Sequence, residues 1–104
     1  MAYDEGLAER IREHLPKEVV EKKMFGGLGF MLRGNMVGGI LKNELIVRVG
    51  PEGYEACLKK PHAKTMTRPM RGFVMVEAAG YEEDDALDNW LKRGLEYALT
   101  LPPK

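Results

Sequence analysis

Four stretches of the chain carry residue types that could do chemistry. Cys57 is followed five residues later by His62, a thiol and an imidazole that could act as nucleophile and base. Residues 59–71 hold Lys59, Lys60, Lys64, Arg68 and Arg71 with no acid among them, which suits phosphates or an acidic protein surface. Lys22 and Lys23 stand before Met24-Phe25-Gly26-Gly27, the head of a glycine-rich run that ends near Ile40. The acidic quartet Glu82-Glu83-Asp84-Asp85 has the look of a cation site.

Each has a simpler structural reading. A dinucleotide loop needs glycines at its first, third and sixth places and then a helix. Gly27-Leu28-Gly29 begins that pattern, but Leu32 holds the sixth place and a strand follows. Without Gly-Lys-Ser or Gly-Lys-Thr the phosphate-loop pattern fails as well. Gly26-Gly27 then reads as a bend or bulge, with Gly39 leaving room beside Phe30. Cys57 falls on the apolar side of a helix, the place of a small core residue. Two histidines and one cysteine lack zinc-ligand spacing, and no metal or cofactor is expected. The acidic quartet suits a helix N-terminus. The basic segment has no aromatic residue for base stacking.

The elements that would position these residues follow from periodicity. Residues 4–15 read as a helix with Leu7, Ile11 and Leu15 on one face, capped by Asp4 and stopped by Pro16. A short strand, Glu21 to Phe25, adds a rung. From Leu28 the period is two, with Leu28, Phe30 and Leu32 on one face. Gly34-Asn35 reads as a two-residue hairpin turn, which sets Leu32 opposite Val37 and Phe30 opposite Gly39. A three-residue turn at Lys42-Asn43-Glu44 then brings Leu45, Val47 and Val49 to the Phe30 face. Met31, Met36, Ile40 and Ile46 fall on the other face. That face is partly apolar and would need a partner, such as a second copy. Gly50-Pro51-Glu52 opens a second helix, residues 59–72 are irregular, Phe73–Val76 form a strand, and one long helix runs from the acidic quartet past Trp90 to Pro102-Pro103.

The expected fold is therefore α+β and two-layered. It has an antiparallel sheet of four to five strands, helices at both termini and one between strands. Residues 1–104 form one domain. Sixteen basic residues balance sixteen acidic ones, so net charge points to neither nucleic acid nor membrane. The single cysteine fits a reducing compartment, the start is not a signal peptide, and a cytoplasmic protein is expected.

The segments KKMFGGLGFMLRGNMVGGI, LIVRVGPEGYEACL and RPMRGFVMV, with the terminal helix carrying Trp90 and LPPK, resemble the TfoX N-terminal domain family. That family is named for the TfoX/Sxy regulators of competence genes. The likeness covers nearly the whole chain, and its most specific parts are Met24-Phe25-Gly26-Gly27 and Arg68-Pro69-Met70-Arg71-Gly72. It implies a two-layer domain similar to secretion chaperones and a regulator acting with an activator of the cyclic-AMP-receptor type. It brings no catalytic residues, and its motif positions read as structural. Three functions stay open. The first is a non-enzymatic domain that binds a protein partner such as transcription machinery. The second is nucleic-acid contact through Lys22, Lys23 and residues 59–71. The third is a small enzyme using Cys57 and His62.

Overall fold

The computed structural model describes residues 3–24, 26–66 and 71–103. Helix α1 (Glu5–His14) begins where Asp4 accepts the Leu7 amide at 3.1 Å, and it buries Leu7, Ala8 and Ile11. Strands β1 (Val20–Met24), β2 (Gly27–Leu32), β3 (Asn35–Leu41) and β4 (Glu44–Arg48) follow, then α2 (Gly50–Leu58) with proline in its first turn. The chain continues through β5 (Ala63–Thr65), β6 (Phe73–Val76), the one-turn α3 (Ala78–Tyr81) and α4 (Asp84–Leu99). The sheet is antiparallel throughout, in the order β1-β2-β3-β4-β6-β5.

The α+β class stands, and two details differ from expectation. The sheet has six strands among the described residues, because Ala63–Thr65, expected to be irregular, pairs with Val74–Val76. The long terminal helix stands as α4, and an additional one-turn helix, α3, precedes it, with Arg10 donating to the Tyr81 and Glu82 carbonyls at 3.0 Å where α3 ends. Asp84 and Asp85 do occupy the first turn of α4, where the helix dipole favours them. Phe25, Arg68, Pro69 and Met70 lie outside the described residues.

The β2–β3 hairpin turns at Arg33-Gly34, not Gly34-Asn35. Both turn residues have positive φ, 53° and 84°, the signature of a tight hairpin that follows the strand twist. Asn35 enters the strand instead. It is buried opposite Leu32, and its amide donates to the Pro102 carbonyl at 2.9 Å. A bulge then lets Met31 face Met36 but Phe30 face Gly38, leaving Val37 extra. Gly38, rather than Gly39, is the residue beside Phe30. At the next turn Leu41 pairs with Glu44, so two residues, Lys42 and Asn43, make the corner. The two one-residue departures compensate: Leu45 and Val47 still arrive on the Phe30 face, together with Ile40 instead of Leu41.

That face carries the core. Leu28, Phe30, Ile40, Leu45, Val47, Val74 and Val76 pack against Leu7 and Ile11 of α1, Cys57 of α2 and Leu87, Trp90 and Leu91 of α4. Leu32 and Val37 meet Ala98 at the other end of α4. Helix α4 lies so close that a Cβ on Gly94 would stand 2.4 Å from the Val37 carbonyl oxygen. At the rim, Arg12 forms a bidentate pair with Glu21, joining α1 to β1.

Two predictions follow from this packing. Gly94→Ala should destabilise the fold by about 1–3 kcal/mol in denaturant melts, although alanine is the better helix former by about 1 kcal/mol, because backbone on β3 cannot yield. A neutral or stabilising result would contradict the close approach. The Arg12 hydrogen bonds hold the Glu21 carboxyl below its ordinary value near 4.5. Its contribution is therefore complete above that pH and lost as the pH falls through the folded value. Glu21→Gln should cost under about 1 kcal/mol at neutral pH, as befits a solvated pair, and the gap to wild type should close in acid. A gap unchanged in acid would remove the pair from the account.

Candidate interaction face

All four helices lie on one side of the sheet, because every buried helical side chain enters the cores just described. The second face carries no helix among the described residues. The register maps it: Lys22, Gly29, Gly39, Ile46, Met75 and Lys64 form one row across all six strands. Val20, Met31 and Met36 form a second row, and Arg48 pairs with Phe73 beyond the bulge. Alternation adds Met24 and Leu41. Ile40, expected here, faces the helices, and Leu41 takes its place because of the bulge.

Gly29 and Gly39 sit opposite one another and leave a floor without side chains. Two methionines lie over that floor. A Cβ on Gly29 would meet Met24 Sδ at 3.1 Å, and one on Gly39 would meet Met36 Cε at 3.3 Å. Unbranched thioethers on bare backbone can re-pack to fit an arriving surface, which branched side chains cannot do as cheaply. Met24, Met31, Met36 and Leu41 are all half-buried, and Val20 is 64% exposed.

The electrostatics of the two layers differ. Helix α1 carries three acids, α2 two and α4 four. The strands carry two, and Glu21 turns toward the helices to meet Arg12. Glu44 is the one strand carboxylate on the open face, and Lys64 bridges to it at 2.5 Å across the Met75 position. That hydrogen bond raises the Lys64 pKa. Arg48 is held between the Phe73 and Tyr97 rings, 5.5 and 5.4 Å from their centroids. Because Tyr97 belongs to α4, Arg48 sits at the end of the sheet where the two layers meet, and Lys22 is the exposed cation at the β1 edge of the open face.

The basic residues singled out in the sequence are not brought together. Lys22 and Lys23 are on β1, while Lys59, Lys60, Lys64 and Arg71 lie near β5, the opposite edge. Five strand spacings separate those edges, about 24 Å. Lys23 also points to the helical side, opposite Leu28. Gly26, with φ 76°, makes the expected bend ahead of β2, and a Cβ on Gly27 would strike the Ile40 carbonyl. Gly72, with φ 96°, accepts the Val49 and Gly50 amides through its carbonyl and closes the start of α2 against β6.

Cys57 is 1% exposed in the core, and His62 stands outside in the turn before β5. Among the described residues no hydrogen bond joins them, and Cys57 is instead approached by Arg93 at 3.8 Å. His14 faces Asp88 at 3.1 Å. No group of three His, Cys, Asp or Glu among the described residues could hold a metal ion. No helix there is long and apolar enough to cross a membrane.

Residues 12–98, from the tie between α1 and β1 to the end of α4, match the family model of the TfoX N-terminal domain. The chain belongs to the TfoX N-terminal domain family. No curated protein and no solved structure matches it. Membership gives the glycine corner and the open sheet their setting, in a domain type associated with competence regulators.

Burial also fixes the behaviour of the thiol. Cys57 in the native protein should react with thiol reagents only as fast as the core opens, and fully once unfolded. Immediate labelling without denaturant would contradict its placement.

Proposed function

We propose that this domain is a non-enzymatic, regulator-like binding domain whose open sheet face receives a protein. The observation that carries this reading is the helix-free face itself, with methionines over a glycine floor and Lys22 exposed at its edge. Around exposed Val20, the half-buried Met24, Met31, Met36 and Leu41 leave a partly accessible apolar patch on this face, and such patches are typical of contact surfaces. Its charge selects the occupant: a protein with an apolar patch bordered by carboxylates, able to meet Lys22. Two copies of the face would oppose like charges, so a different protein fits better than a second copy. In a regulator-like setting that partner belongs with the transcription machinery or an activator.

The nucleic-acid reading is less well supported. The cations are divided between two sheet edges, and Lys64 is already paired with Glu44. Wild-type protein should retain a partner in affinity capture from its native cell, and the reconstituted pair should weaken at least about tenfold with Met36→Glu or Lys22→Glu. Lys60→Ala, on the helical side, should leave it intact. Duplex DNA should show no binding at low salt, and the isolated domain should sediment as a monomer at micromolar concentration. Salt-dependent DNA binding that Lys22→Glu abolishes would overturn the protein-binding reading in favour of nucleic acid.

A further inference from the structure

The helical layer has a concavity of its own, independent of the open sheet face. It is a groove of about 740 Å³ between the turn that follows α2, the one-turn α3 and the outer side of α4. That volume falls in the range of small-molecule sites. Its polar lining is mostly basic or donor-bearing: Lys60, His62, Asn89, Trp90, Lys92 and Arg93, with Glu96 as the one carboxylate beside them.

Two cations of the groove are left without carboxylate partners. Lys60 and Arg93 have no carboxylate within ion-pair distance among the described residues. Lys92, also on this side, is by contrast committed to Asp88 at 2.9 Å. Arg93 is steadied by the Cys57 sulfur at 3.8 Å, a contact that leaves most of its N–H fork unused. Trp90 lines the groove and is 6% exposed. His62 is fixed at φ 67°, its carbonyl accepting the Glu77 amide at 3.0 Å, and its Cβ would lie 2.9 Å from a Cβ on Gly80. Glycine at position 80 thus keeps the turn seated against α3 and the groove open.

We propose that this groove binds a small organic phosphate. An oxygen-rich dianion offers enough acceptors for a guanidinium fork, an ammonium and an amide together, whereas a single carboxylate offers two oxygens. Arg93 supplies the planar fork, Lys60 a mobile charge from the turn after α2, and Asn89 a neutral donor, with the Trp90 ring beside them.

Trp90 is the chain's one tryptophan, so its fluorescence reports on the groove directly. The probes are orthophosphate, pyrophosphate and a nucleoside monophosphate, each titrated up to about 10 mM into the intact chain and followed in parallel by calorimetry. A saturable change is expected with at least one phosphate ester or anhydride. It should weaken at least about tenfold in Lys60→Ala with Arg93→Gln, two exposed positions whose melting temperature serves as the folding control. Lys22→Ala, on the far layer, should leave it unchanged. The proposal is overturned by no saturable change with any of the three, by a change that survives the double substitution, or by equal affinity for a monocarboxylate of similar size.

Discussion

Strand β3 holds one residue more than its pairing with β2 requires, and the position of that residue decides which face of the sheet meets the helices. Before the bulge, Asn35 and Val37 lie on the helical side; after it, Gly38 and Ile40 do. Without the extra residue every side chain beyond it would turn over, sending Leu41 inward and Ile40 out. Because β4 and β6 take their register from β3, the phase of Leu45, Val47, Val74 and Val76 depends on it too. The close seat of Gly94 on the Val37 carbonyl places α4 at the same point. The core, the helical layer and the open face are thus set by one irregularity in a hairpin.

The same arrangement distributes the acids unevenly. A net charge of zero conceals nine acids on α1, α2 and α4, while Glu44 alone among the strand carboxylates lies on the open face. Pairing reinforces the division, since Arg12 and Arg10 are drawn into the helical side by Glu21 and Asp84, while Glu44 on the sheet side is taken by Lys64. With its one carboxylate already paired, the open face is better matched to an acidic surface than to a basic one.

Much of this was legible in the sequence where the signals are local. Asp4 before Leu7 and Ile11 marked α1, Pro51 marked α2, and the stripe of Leu87, Trp90 and Leu91 marked α4. The partly apolar second face was visible in Met31, Met36 and Ile46. The departures arise where a distant partner decides. Asn35 leaves the turn for a bond to Pro102, 67 residues away, and arginine accepts the left-handed conformation in its stead. Strand β5 is three residues long and has no pattern of its own, only an edge to complete. The donor groove joins the turn after α2 to α4, so no window of sequence contains it. The TfoX-like motif residues Gly26 and Gly27 shape the bend ahead of β2, and Met24 lies on the open face.

The central claim is that the sheet face opposite the helices is the working surface of the domain. Site-resolved methionine oxidation, measured by peptide mass spectrometry on the isolated chain and on its complex, tests it directly. Met24, Met31 and Met36 should oxidise together, well ahead of Met75, which is 2% exposed, and all three should be protected when the partner is bound. Slow oxidation of the three in the isolated chain, or rates unchanged in the complex, would contradict the account.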